Sequence, residues 1–100
     1  MLDDLRSGCG LDSHVLTAGR KLILGGVDIP YELGLAGHSD ADVLLHAVID
    51  ALLGAASLPD IGQIFPDSDP QYKDVSSRKL LSEIGRLLRE KDYIPVHVDA

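Results

Sequence analysis

Residues 40–56 place Val43, Leu44, Ala47, Val48, Ala51 and Leu52 at helical spacing. That is a wide apolar face which cannot be left in water, so the rest of the chain has to cover it. Ser39 reads as the N-cap with Asp42 three residues later as an acidic variant of the capping box, and Gly54 and Pro59 mark the end. A second helix at about 76–91 carries Leu80, Leu81, Ile84, Leu87 and Leu88 on one face and can pack against the first. Leu22-Ile23-Leu24 and Val27-Asp28-Ile29 flank Gly25-Gly26, and glycine supplies the positive φ that a two-residue hairpin turn requires. A short strand is expected within 5–16, leading into His14, and another over 93–98. Residues 31–38 and 57–74, rich in Gly, Pro and Asp, read as loops. The order β, β-hairpin, α, loop, α, β predicts an α/β chain of α+β character, a mixed β-sheet covered by helices in a single domain over residues 1–100.

Charge narrows the function classes. The chain carries 16 acids and 9 bases for a net charge of −7, and residues 22–72 hold eight of the acids and no Lys or Arg. Phosphate neutralisation by a basic patch needs clustered Lys and Arg, so nucleic-acid binding is not expected, nor is a polybasic membrane helix. Only four aromatics are present and Trp is absent, which leaves no evident stacking platform for bases. No apolar run approaches the ~20 residues of a membrane span. The acidic Met1-Leu2-Asp3-Asp4 does not resemble a secretory signal, and the lone Cys9 suits a reducing compartment. A cytoplasmic protein is the expectation. Cys9, with no base beside it, reads as structural, and His97 as a packing residue.

Asp12-Ser13-His14 is the sharpest chemical signal. In an extended segment, residues two apart face the same way, so a carboxylate and an imidazole reach one point. These are ligand types for Zn²⁺ or a similar divalent ion, and a surface Asp beside a half-buried His fits the same pattern. Asp42, His46 and Asp50 recur every four residues along the first helix, on a stripe opposite much of the apolar face. His46 among Leu44, Leu45, Ala47 and Val48 needs a specific partner: a metal with Asp42 or Asp50 on its other nitrogen, or an exposed Asp–His pair. Asp12, His14 and His46 together would make a two-His, one-carboxylate set with an open position, the pattern of a catalytic zinc. His38 in Gly37-His38-Ser39-Asp40 lies where a helix start favours anions. The acidic loop containing Asp60-Ile61-Gly62 and Phe65-Pro66-Asp67-Ser68-Asp69 can hold sugar-like hydroxyls or hydrated Mg²⁺, or can serve local turn bonds only.

Five blocks stand in order: Gly10-Leu11-Asp12-Ser13-His14, the run from Ile23 to Pro30, the run from Gly37 to Ala47, the run from Asp50 to Ala56, and the run from Asp60 to Asp67. Jointly they resemble the 2-C-methyl-D-erythritol 2,4-cyclodiphosphate synthase family of the non-mevalonate isoprenoid pathway, from about Leu5 to the chain end. The resemblance implies a homotrimer with active sites between subunits. It implies a phosphorus–oxygen lyase that converts 4-diphosphocytidyl-2-C-methyl-D-erythritol 2-phosphate to the cyclic diphosphate and CMP. Asp12, His14 and His46 would be zinc ligands; Asp12 and His14 would also border the substrate. His38 and Ser39 would contact it, His38 stabilising transition-state charge. Asp60, Ile61, Gly62, Phe65, Pro66, Asp67, Ser68 and Asp69 would line the methylerythritol and phosphate region, and a second ion, Mg²⁺ or Mn²⁺, would bridge the diphosphate.

Family members run longer, so the resemblance also implies that these 100 residues lack a C-terminal third. That part would carry the cytidine pocket, a second anion-stabilising hydroxyl and the acidic ligand of the second ion. Ser7 stands where the family's first strand is usually apolar. Two rival readings keep the metal triad: an inactive metal-binding or assembly fragment, and a metal-dependent phosphohydrolase. A plastid stroma is the alternative compartment, although no transit peptide is visible.

Overall fold

The computed structural model describes residues 5–100; the acidic N-terminal tetrapeptide lies outside the described residues. Strands and helices follow in the order β1 (Leu16–Ala18), β2 (Leu22–Leu24), β3 (Val27–Ile29), β4 (Leu33–Leu35), α1 (Val43–Ala55), α2 (Ile61–Ile64) and α3 (Ser77–Glu90), with a 3-10 turn at Pro70–Tyr72 before α3. This is the expected class of strands and helices, but among the described residues no mixed sheet forms. The strands form two antiparallel ribbons, β1 with β4 and β2 with β3.

The hairpin forms as expected: Leu22 faces Ile29 and Leu24 faces Val27. Gly25 and Gly26 take φ of 61° and 77°, the left-handed values that a type I′ turn demands. Residues 31–38 are not all loop, because Leu33–Leu35 pairs with β1, Leu16 opposite Leu35. At that crossing a side chain on Gly34 would lie 2.2 Å from the Lys21 carbonyl oxygen. The first strand is shorter and later than expected, and residues 5–15 form no strand, though the Val15 carbonyl accepts from Ala36 N at 2.8 Å.

Helix α1 starts at Val43, and its cap is Asp42 instead of Ser39. The Asp42 carboxylate accepts from Leu45 N at 3.0 Å, and also from Gly25 N at 3.0 Å and Gly26 N at 2.6 Å. One buried side chain thus starts the helix and fixes the hairpin turn onto it. The most deeply buried face of α1 is also not the expected one. Ile49 and Leu53 are fully buried, with His46 on the same side, whereas Leu44 is exposed. The reason is composition: the helix is apolar almost all round, so periodicity could not single out one face. Ile49, Leu53 and Ala56 pack against Leu80, Ile84 and Leu88 of α3, whose apolar stripe matches the sequence reading and whose N-cap is Ser76.

The opposite flank of α1 meets the unpaired N-terminal segment at very close range. A Cβ on Gly10 would sit 1.8 Å from the Ala47 carbonyl oxygen, and one on Gly8 2.1 Å from that of Ala51. Only glycine against alanine allows backbone to lie on backbone here, and this contact carries the segment containing Asp12 past His46. Gly10→Ala is expected to push the segment off the helix, lowering stability by about 1–3 kcal/mol. A urea titration checks this as a lower midpoint at unchanged slope.

The acidic segment 57–74 is more ordered than a loop, since Asp60 caps α2 and Asp69 caps the 3-10 turn. The expected strand at 93–98 forms no ladder among the described residues, and Ile94, Val96 and Val98 are exposed. His97 is exposed rather than packed. Cys9 is likewise exposed, not a buried structural thiol. The radius of gyration, 14.2 Å, exceeds the ~13 Å of a compact 100-residue domain, in keeping with these extended ends.

Candidate metal centre

Three elements converge at one end of α1. The segment lying on Ala47 delivers Asp12 and His14 on one face, and α1 delivers His46 from its buried side. Asp12 Oδ2 stands 3.0 Å from His14 Nδ1 and 3.3 Å from His46 Nδ1. The two imidazole rings meet edge to face with centroids 5.3 Å apart. Ligands held ~2.0–2.1 Å from a tetrahedral zinc lie about 3.3 Å from one another, so the spacing fits a shared ion.

The hydrogen bonding fits it as well. Asp12 Oδ2 and His14 Nδ1 are buried with no hydrogen-bond partner. Buried polar atoms are ordinarily satisfied, and two orphans aimed at one point want a cation between them. Among the described residues this is the only group of three or more His, Cys, Asp or Glu whose ligand atoms approach within 4.8 Å of one another.

The other nitrogen of His46 does not meet Asp42 or Asp50, as the sequence spacing suggested. Asp42 is committed to the hairpin, and Asp50 accepts from Ile61 N at 2.8 Å, holding α2 to α1. His46 Nε2 lies instead 2.9 Å from Ser77 Oγ and 3.2 Å from Ser39 Oγ. Ser77 in turn donates its hydroxyl to Asp40 Oδ1 and its backbone N–H to Asp40 Oδ2.

Beside the triad is a cleft of about 370 Å³, lined by Asp12, His14, His38, Ser39 and His46 on one side and by Ile61, Gly62, Phe65, Asp67 and Tyr72 on the other. Its lining contains no Lys or Arg. Of the acidic-loop residues singled out in the sequence, Asp60, Pro66, Ser68 and Asp69 are outside this lining. Asp60 accepts from Gln63 N and Asp69 from Gln71 N, both as caps. The Gln71 side-chain amide is the main reason the Asp69 carboxyl titrates below its ordinary range. His38 Nε2 is 3.0 Å from the Asp69 carbonyl oxygen, which ties the two walls of the cleft together.

Sequence reasoning did not find Arg20, Asp40, Tyr72 or Ser77. Arg20 stands two residues outside the base-free window and reaches back to it, donating to the Gly37 carbonyl at 3.1 Å and the Ser39 carbonyl at 2.7 Å. It braces the loop that presents His38 without facing the cleft with charge.

The family description YgbB matches residues 5–100. The chain is 62% identical over 96 residues to a 2-C-methyl-D-erythritol 2,4-cyclodiphosphate synthase of Lachnospira eligens, covering 96% of this chain and 52% of that protein. It is 60% identical over 96 residues to the enzyme of the same name in Clostridium novyi, covering 96% of this chain and 61% of that protein. The chain thus spans a little over half the length of these curated relatives. Among solved structures, a 2C-methyl-D-erythritol-2,4-cyclodiphosphate synthase in its CDP-bound form superposes with a TM-score of 0.79 at 46% identity, over 87% of this chain and 58% of that one. The bifunctional IspDF of Campylobacter jejuni superposes at 0.77 and 44% identity, over 84% of this chain and 23% of that one. Family match, close relatives and superposed folds all agree that the chain belongs to the YgbB family.

Proposed function

We propose that this chain carries the metal-centre half of a 2-C-methyl-D-erythritol 2,4-cyclodiphosphate synthase, a lyase that closes 4-diphosphocytidyl-2-C-methyl-D-erythritol 2-phosphate into the cyclic diphosphate with loss of CMP. The observation that carries this reading is the convergence of Asp12 Oδ2, His14 Nδ1 and His46 Nδ1 at the cleft, two of them buried without partners.

Asp12, His14 and His46 would hold a divalent ion, Zn²⁺ by ligand type, whose Lewis acidity offsets negative charge on a phosphoryl oxygen. The remaining tasks fall to the chain. An oxygen of the substrate's 2-phosphate attacks its own β-phosphorus, and the bond from that phosphorus to the oxygen of the α-phosphate breaks, releasing CMP. Nucleophile and electrophile share one molecule, so the protein's main task is to hold that molecule bent. Ile61, Gly62 and Phe65 on one wall and the 37–39 loop on the other suit that task, and their spacing is fixed by the His38–Asp69 contact. With Nε2–H donated to a carbonyl, a neutral His38 offers Nδ1 as an acceptor to a substrate hydroxyl. As the imidazolium it would donate from Nδ1 to a phosphoryl oxygen; Ser39 offers a hydroxyl. Asp67 suits a methylerythritol hydroxyl. Asp60, Pro66, Ser68 and Asp69 shape the wall from outside. A second Mg²⁺ or Mn²⁺ on the diphosphate, a homotrimer with shared sites and a cytoplasmic location belong to the same proposal. No helix among the described residues is long and apolar enough to cross a membrane.

The test is product analysis with that substrate. CMP and cyclic diphosphate in equal amounts, lost on chelation and restored by zinc, are expected. Inorganic phosphate would indicate a phosphohydrolase instead, and a metal-loaded trimer without turnover would indicate an assembly fragment.

A further inference from the structure

We infer that Asp40 and Ser77 are positioning residues that hold His46 with Nε2 on the Ser77 hydroxyl oxygen and Nδ1 turned to the metal site. The inference rests on the metal reading of the triad given above. It follows from counting protons along Asp40, Ser77 and His46.

Asp40 is surrounded by donors: the Ser77 hydroxyl and the Asp42 N–H at Oδ1, the latter at 3.2 Å, and the Ser77 N–H at Oδ2, at 3.1 Å. Three donors and no acceptor mark it as a carboxylate, which can only accept. The single Ser77 hydroxyl proton is therefore directed to Asp40. Its Oγ then turns a lone pair to His46 Nε2 at 2.9 Å, and an Nε2–H is the donor that matches it. On the other side of the ring Nδ1 faces the Asp12 carboxylate at 3.3 Å, where two lone pairs would oppose each other unless a cation lay between them. The relay therefore suits the ring that binds an ion through Nδ1. Ser39 takes the same part: its Oγ receives the Ala41 N–H at 3.2 Å and lies 3.2 Å from Nε2. Its own proton is then left for the cleft it lines.

Groups behind a ligand histidine fix its tautomer and orientation, and their loss ordinarily costs about 10–100-fold in metal affinity. Here the carboxylate acts through a hydroxyl relay, across 37 residues from Asp40 to Ser77 and 31 from Ser77 to His46.

The experiment has two readouts on the full chain. Long-range 1H–15N correlation spectra of the zinc-loaded protein should show His46 protonated at Nε2 and bound to the ion through Nδ1. Zinc competition against a chromophoric chelator should give a dissociation constant raised about 10–100-fold in Ser77→Ala and restored toward wild type in Ser77→Thr, which keeps the hydroxyl. Zinc held through His46 Nε2 in the wild type, or a Ser77→Ala dissociation constant within twofold of wild type, overturns the proposal. The wild-type spectrum decides even if Ser77→Ala fails to fold. Should the wild type bind no zinc, the metal reading itself falls. Absence of CMP release beside the expected spectrum and affinities would count against the assigned reaction alone.

Discussion

His46→Ala is expected to abolish tight zinc binding and, with it, the gain in stability that zinc gives the folded chain. In the proposed centre His46 would supply the helix-borne ligand, and two remaining ligands on one extended segment cannot hold a tight site. Zinc at a thousandfold excess over its dissociation constant stabilises a native site by about 4 kcal/mol. For a domain of this size each kcal/mol is worth about 4–8 °C in melting temperature, so the wild-type shift is large and the variant's should be near zero. CMP release should fall to the level of the metal-stripped wild type. The metal-free variant should lose only about 1–2 kcal/mol, because Asp40 still receives the Ser77 hydroxyl and only the imidazole contact disappears. Calorimetric scans with and without zinc separate the two effects. An unchanged zinc-induced shift in His46→Ala would remove this residue from the centre.

The second large effect is on folding. Asp42→Ala is expected to destabilise the chain by about 3–5 kcal/mol, from a lost helix cap and two lost charge-assisted bonds to the hairpin turn. Asp42 is fully buried, and its loss orphans the N–H groups of Leu45, Gly25 and Gly26 together. Against a total of about 5–15 kcal/mol for an ordinary domain, that approaches unfolding. Asp42→Asn keeps a competent cap but only one strong acceptor, and should cost about half as much. Chemical denaturation of the three proteins checks the order, and hydrogen exchange at Gly25 and Gly26 should accelerate first. Equal stability of Asp42→Ala and wild type would contradict the role assigned to this side chain.

What the sequence disclosed and what it hid have physical reasons. The hairpin and α3 were legible because their signals are local: Gly25-Gly26 for the turn, and apolar residues at three- and four-residue spacing for the helix. The existence of α1 was legible and its orientation was not. Apolar residues on nearly every side left the burial of Ile49, Leu53 and His46 to tertiary packing. Strand β4 was hidden by its length of three and by Gly34, which reads as a breaker in sequence yet is required where the chain crosses the Lys21 carbonyl. The segment at 93–98 has a strand's alternation without a ladder partner among the described residues, and alternation alone cannot supply one.

The candidate site divides in the same way. Asp12 and His14 announced themselves by a spacing of two, and His46 by its place on a helix. The fold gathers their ligand atoms within 4.8 Å of one another. The supporting network stayed invisible because Ser77 looks like any serine at a helix start, and its partners lie far away in sequence. Arg20 was hidden for a related reason. The charge count placed it outside the acidic window, yet a long side chain brings it back to the 37–39 backbone. The absence of bases from residues 22–72 therefore does not exclude a phosphate ligand. On the proposed reading, phosphate charge would be met by a metal on Asp12, His14 and His46 and by hydrogen-bond donors such as Ser39.

X-ray absorption at the zinc edge, together with metal content per chain, tests the existence of that centre most directly. One zinc per chain with an all nitrogen–oxygen shell at ~2.0–2.1 Å, and multiple scattering from two imidazoles, is the expected result. No zinc above background after dialysis, or a shell containing the sulfur of Cys9, would contradict it.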